Sequence, residues 1–284
     1  MSNWQQELIN GFSHSKDLLD YLEIDAAVAA ELAEQVFKTK VTRTFANRMQ
    51  KGNLHDPLLR QVLAVSQELD ITPGLSKDPL QEKSFNPIPG LIHKYQSRVL
   101  LMLSGACAIH CRYCFRRHFP YQANTPGKSG VKQIVAYLLD HPDVNEIILS
   151  GGDPMILNND FFRYLLDELS QVPHIQFFRI HSRIPVVLPS RIESEWLSLW
   201  QNRPWQKVMV THINHAQEIN TEVSDVVRQL KYHGWQVLNQ AVLLADVNDN
   251  LDAQVALSHQ LIKSSIIPYY LHLLGGKPLQ FSNA

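Results

Sequence analysis

The stretch Cys107-Ala108-Ile109-His110-Cys111-Arg112-Tyr113-Cys114 decides how this chain is read. It holds all three cysteines of the 284 residues, spaced C-x3-C-x2-C, and Phe115-Arg116-Arg117-His118-Phe119 follows directly. Three thiols so close together can reach three corners of one inorganic centre. An iron–sulfur cluster ordinarily takes four thiolates, so three leave one iron open to a small molecule. A structural zinc site, completed by His110 or His118, is the rival, because thiolate-rich sets suit both metals. Spacing alone leaves the two open. A disulfide fits poorly, since one cysteine would be left over and such close spacing strains the bridge.

Working outward, the charge is balanced, with 26 basic and 27 acidic residues. Such a balance gives no general polyanion-binding surface, so nucleic acid is not expected as a ligand. The opening residues MSNWQQELINGF lack the basic and apolar regions of a signal peptide. No apolar run approaches a membrane span, and a few clustered cysteines suit a reducing compartment. A soluble cytoplasmic protein is the expectation.

Residues 1–92 read as a helical, peripheral segment and linker. Leu18, Leu19, Leu22 and Ile24, then Ala27 to Val36, have helical apolar spacing. Asp25 stands where it would cap the second of these helices. Pro73-Gly74, Pro79, Pro87 and Pro89-Gly90 punctuate the connection that follows. Nothing before residue 93 forms a catalytic constellation, so packing and oligomerisation are its expected roles.

From residue 98 the pattern becomes regular. Strand-like runs are Val99–Leu103, Ile147–Ser150, Gln176–Ile180, Val208–Thr211, Val237–Val242 and Ile267–Leu271. Helical segments fall between them near 131–140, 160–171, 191–201, 216–233 and 251–264. This alternation predicts βαβ units and a parallel sheet. Polar motifs sit at the strand ends: the cysteines after the first strand, Gly151-Gly152-Asp153 after the second, and His181-Ser182-Arg183 after the third. His212-Ile213-Asn214-His215 follows the fourth strand, and Asn239-Gln240 lies in the fifth. In a barrel such positions converge on the C-terminal face, where active sites are carried.

The cysteine spacing is the signature of radical S-adenosylmethionine (SAM) enzymes, and Cys111–Tyr121, CRYCFRRHFPY, is narrower. Over about residues 40–274 the chain resembles the lysine 2,3-aminomutase family, in its branch that makes (R)-β-lysine for modifying elongation factor P. The resemblance implies an α/β fold with a partial (β/α)6 barrel over 93–274, the N-terminal helical segment before it, and a short divergent tail over 275–284. It implies that Cys107, Cys111 and Cys114 hold a [4Fe–4S] cluster whose fourth iron binds SAM. Reductive cleavage of SAM then yields a 5′-deoxyadenosyl radical that takes hydrogen from the substrate. An electron donor such as flavodoxin or ferredoxin supplies the electron, and L-lysine is the substrate.

The same resemblance gives further site residues. Gly151, Gly152 and Asp153 stand at the family's SAM-binding glycine motif, and Ser182, Arg183, Asn239 and Gln240 are further SAM-pocket candidates. Arg116 stands where the family binds the amino-acid carboxylate, a role that suits a guanidinium fork. Tyr95 and Arg98 match positions that contact the ring region and phosphate of pyridoxal 5′-phosphate (PLP), with Lys94 where relatives often have arginine. After Leu274 the match ends. An expected aspartate for the distal amine is replaced by Gly275-Gly276-Lys277-Pro278, and the chain is expected to be shortened relative to the family. Lys277 is the candidate PLP lysine, in a setting that also reads as a glycine-rich tail. An aminomutase of another amino acid, and a silent relative keeping a metal-stabilised scaffold, stay open.

Overall fold

Seven strands form one sheet in the order of the chain: β1 Leu91–Tyr95, β2 Arg98–Ser104, β3 Glu146–Gly151, β4 Phe177–Ser182, β5 Gln206–His212, β6 Trp235–Val242 and β7 Ile267–His272. The structure is a computed structural model, describing residues 2–29, 31–70 and 80–273 apart from the side chains of Val28, Lys83 and Ala123. β2 to β7 pair in parallel, whereas β1 is antiparallel to β2. All six expected strands are present, and the sheet is an open, partial barrel with β1 and β7 at its edges. β1 was not expected. Its five residues end in exposed Lys94 and Tyr95 at the turn into Arg98, so the run carries little apolar signal.

The helices, in order, are α1 Asn3–Ile9, α2 Ser15–Tyr21, α3 Glu31–Val36, α4 Arg43–Ala46, α5 Tyr121–Asn124, α6 Lys128–Leu139, α7 Asn159–Leu169, α8 Ile184–Val187, α9 Ser194–Ser198, α10 Thr221–Tyr232 and α11 Leu251–Lys263. Asn158, Asn220 and Asn250 cap α7, α10 and α11 by accepting the backbone N–H of Phe161, Val223 and Ala253. Each such cap contributes about 1 kcal/mol. Asp25 caps only a short 3-10 turn, Ala26–Val28, because α3 starts afresh at Glu31. The helix expected over 191–201 splits into a 3-10 turn, Pro189–Arg191, and the brief α9.

Strand alternation sorts the side chains. Val99, Leu101 and Leu103 of β2, Ile147 and Leu149 of β3, and Phe178 and Ile180 of β4 join the buried core with α6 and α7. Phe178 meets Trp200 edge-on at 5.0 Å, and Phe162, Trp196 and Trp235 continue that aromatic layer. The intervening residues face the concave lumen. Arg179 on β4 reaches Tyr269 Oη on β7 at 3.3 Å, a contact past the two intervening strands that the curl of the sheet brings within reach.

The N-terminal segment is not peripheral. Trp4, Leu18, Phe45 and Leu59 belong to the same continuous core as the strands. Arg48 donates to the carbonyls of Val186 and Glu218, and Thr42 to that of Val187. A segment so placed covers the strand ends, which its helical apolar spacing alone did not reveal.

Candidate iron–sulfur active site

The three cysteines lie in the loop leaving β2, and neighbouring chain holds that loop from two sides. On one side is the glycine pair after β3. Gly152 N donates to Ser104 O at 2.8 Å and Asp153 N to Ala106 O at 2.8 Å. A Cβ on Gly152 would stand 2.5 Å from Ala106 O, and Gly151 has a φ of +117° that favours glycine. These glycines therefore serve the close approach of two strand-end loops. On the other side is the N-terminal segment. His110 N donates to Lys40 O at 2.9 Å and Arg112 N to Gln61 O at 2.9 Å. The Arg112 fork grips Glu68 at 2.7 and 2.6 Å, and Arg117 adds a third contact to it at 2.8 Å.

All three thiols are free and half-buried. Burial pushes the Cys114 pKa up to about 11, with Cys111 adding to it and the backbone N–H of Arg116 and the charges of Arg116 and Arg117 opposing. Burial likewise raises Cys107, helped by Asp153 and the other two thiols and opposed by Lys40. His110 is not poised as a fourth ligand. Its Nδ1 lies 2.7 Å from Lys38 O and its ring stacks on Phe37 at 5.0 Å. Among the described residues no three His, Cys, Asp or Glu side chains converge on a single metal ion. Three neighbouring thiols in a cation-rich shell fit a cluster, which spreads its ligands more widely than one ion and deprotonates them on binding.

Arg116 is buried on the lumen side. Its Nε and Nη2 donate to Glu82 Oε2 and Oε1 at 2.9 and 2.5 Å, and Nη1 to Ser150 Oγ at 2.9 Å. Of the five guanidinium N–H groups, these contacts use three and leave one on each terminal nitrogen, enough for one further carboxylate. Beside it His181 and His212 lie with ring centres 6.5 Å apart. Burial first, then the neighbouring His272, Arg116 and other cations, lowers both, His212 to about 3 and His181 well below its ordinary value. Both are neutral imidazoles at pH 7. His212 hydrogen-bonds Gln240 Nε2, and His272 Nε2 lies 3.5 Å from Gln240 Oε1.

Several other expected SAM contacts are engaged within the protein. Asp153 accepts from Ser182 Oγ at 2.7 Å, Arg183 N at 2.9 Å, Met155 N at 3.1 Å and Ile184 N at 3.2 Å. Burial raises it to about 6 against those four donors, which favour the anion. Asn239 accepts from Ile213 N and donates to Ile213 O, both at 2.9 Å. His215 accepts from Gln217 N and caps the turn Ala216–Glu218.

At the opposite end of the lumen, Glu146 pairs with Arg179 at 2.6 Å and lies 3.7 Å from Arg98. The seven residues of β2 separate Arg98 from the cysteine loop by about 20 Å. Arg98 Nε, which faces that Glu146 carboxylate, is shielded and has no hydrogen-bond partner among the described residues. The Arg98 guanidinium lies over Tyr95, 5.5 Å from its ring centre. Lys277 lies outside the described residues. Asn214, in the strand-end run quoted above, holds Tyr113, whereas the sequence reading missed Gln61, Glu68, Glu82 and Glu218, which anchor the site's arginines. None stands in a local motif for that role, and each acts across at least 34 residues of chain, as Glu82 does on Arg116.

A family model described as a 4Fe-4S single cluster domain matches residues 96–176. The L-lysine 2,3-aminomutase of Escherichia coli (strain K12) is 42% identical over 275 residues, covering 96% of this chain and 80% of that protein. The L-lysine 2,3-aminomutase of Haemophilus influenzae is 41% identical over 274 residues, covering 96% and 81%. That of Clostridium subterminale is 30% identical over 275 residues, covering 95% and 66%. A solved structure described as histidine-tagged anSMEcpe with bound AdoMet is similar at a TM-score of 0.48 and 12% identity, covering 63% of this chain and 51% of that one.

Proposed function

Because the chain belongs to the lysine 2,3-aminomutase family, whose members are radical SAM isomerases using a [4Fe–4S] cluster, SAM and PLP, we propose that it converts L-lysine to (R)-β-lysine for modification of elongation factor P. The observation that carries this reading is the cysteine loop at the C-terminal face of an open parallel barrel, with the buried Arg116 beside it. Cys107, Cys111 and Cys114 would bind three irons and leave the fourth to SAM. The cluster and SAM supply one-electron chemistry when bound; the protein binds, orients and shields.

In this reading Arg116, held by Glu82 and Ser150, takes the substrate carboxylate on its remaining N–H groups. Arg98, beside Arg179 and Glu146, takes the PLP phosphate at the base of the lumen. Gly151 and Gly152 fix the cluster loop beneath SAM. Neutral His181 and His212 line the wall between the two anion sites without adding charge. The enzyme works in a reducing cytoplasm with a low-potential flavodoxin or ferredoxin as donor. No helix among the described residues is long and apolar enough to cross a membrane.

Anaerobic reconstitution followed by electron paramagnetic resonance, with and without SAM, tests the cofactor reading. A reduced [4Fe–4S] signal that changes shape on adding SAM is the expected result. Zinc-loaded protein with no such signal after reconstitution would overturn it. Chiral analysis of products from L-lysine, with PLP and reductant present, then tests the substrate and the (R) outcome. Turnover of a different amino acid, or none with an intact signal, would refute the lysine assignment.

A further inference from the structure

Among the three cysteines, Cys111 alone has a buried guanidinium donating directly to its sulfur. Arg183 Nη1 donates to Cys111 Sγ at 2.8 Å. Its Nη2 donates to Gln61 Oε1 at 2.6 Å and to Glu218 Oε2 at 2.9 Å. The rings of Phe45 and Tyr113 flank it at 5.1 and 5.8 Å. Glu218 is itself locked, accepting from Asn214 N at 2.8 Å, Gln61 Nε2 at 3.1 Å and His215 N at 3.1 Å. Tyr113 is a second neighbour of the same sulfur, and its hydroxyl receives Asn214 Nδ2 at 2.7 Å.

The other two thiols are served differently. Cys107 has Asp153 and Lys40 as its ionic neighbours. Cys114 lies near Arg116 and Arg117, whose guanidinium groups pair with Glu82 and Glu68. Arg183 was expected at the SAM pocket. Its fork lies between the Cys111 thiol and the buried Glu218 carboxylate.

We propose that Arg183, assisted by Tyr113, is an outer-sphere hydrogen-bond donor to the Cys111 thiolate that raises the reduction potential of the cluster. The proposal rests on the reading of Cys111 as a cluster ligand. Reduction adds one electron, supplied by the low-potential donor, and the extra negative charge spreads over the ligand sulfurs. A positive donor at 2.8 Å stabilises that reduced state more than the oxidised one. The effect is large because the group is buried and poorly screened. Arg183 is in this sense a positioning and tuning residue: it touches a ligand and not the substrate.

The test is a redox titration of the reconstituted full chain, followed by electron paramagnetic resonance in the absence of SAM. The double variant R183Q/E218Q removes cation and carboxylate together, so neither charge is left buried alone. Y113F removes a single hydroxyl and is expected to keep the fold. Both midpoints should fall, the double variant's further. A tenfold loss of reduced cluster at a fixed poise corresponds to about 59 mV for a one-electron couple. Unchanged midpoints with a weakened SAM-induced change of signal would assign Arg183 to SAM and overturn the proposal. If the double variant takes up no cluster, Y113F decides: an unchanged midpoint there overturns the tuning role. Wild-type protein without a cluster signal would remove the cofactor reading, and this proposal with it.

Discussion

At the C-terminal end of the lumen Glu68, Glu82 and Glu218 each grip arginines of the site, with Glu68 holding both Arg112 and Arg117. At the other end Glu146 serves Arg179 and, more distantly, Arg98, while Tyr95, Tyr269, Tyr270 and all of β7 are exposed. The first arrangement is preorganised. Its buried pairs cost desolvation and are retained because together they hold the cysteine loop in place. The second leaves two guanidinium groups to one carboxylate, an excess of positive charge open to an incoming anion. One end is closed by paired charges around the cysteine loop, and the other keeps unbalanced positive charge.

Four measurements would break or sharpen that contrast. The largest effect belongs to the cysteines. C107A, C111A or C114A should each lose the iron signal and all turnover, because two thiolates no longer secure the cluster. Iron content and absorbance of reconstituted protein check this. Next is Glu68. E68A leaves buried Arg112 without its carboxylate, a change that should cost about 3–5 kcal/mol. Thermal unfolding of the cofactor-free chain reads that cost, and cluster yield should fall with it. If E68A leaves both unchanged, the clamp does not hold the loop.

Smaller is the effect of R98Q at the open end. It removes charge-assisted contacts of about 1.5–3 kcal/mol, so the PLP dissociation constant should rise roughly tenfold or more, measured by absorbance titration. The cluster signal should be unmoved, since Arg98 lies at the far end of β2. Smallest is a pH effect on the cofactor-free fold. His212 stays neutral in the folded chain down to about pH 3, while the unfolded chain takes up its proton near 6.5. The unfolded state thus binds more protons between those values, and stability falls as pH drops through that window. From pH 7.5 to 5.5 the loss from this group should be about 1 kcal/mol. H212Q should blunt it, as followed by denaturant unfolding at the two pH values.

Much of this was legible in the chain. The six parallel strands announced themselves as short, largely apolar runs at regular spacing, separated by helical segments. The cysteine loop and Arg116 stood out because their chemistry is written in consecutive residues. The partners of those groups did not. Gln61 meets Arg183 across 122 residues, and Glu218 meets Gln61 across 157. In sequence each is an ordinary polar residue. Asp153 and Asn239 illustrate the converse: polar residues expected at SAM have their oxygens taken by a neighbouring strand-end loop. Burial obliges such groups to find donors, and backbone N–H groups supply them together with the Ser182 and Thr211 hydroxyls.

The sequence by itself determined the kind of chemistry and its scaffold. Thiolate spacing and apolar periodicity are local properties, set by covalent geometry and by the period of each element. Only the tertiary structure decided which charges are paired, that Arg183 faces a thiol, and that the N-terminal segment clamps the cluster loop. Those contacts join residues distant in the chain, and they form only when curling the sheet brings its strand ends and the N-terminal segment into one buried, poorly screened space.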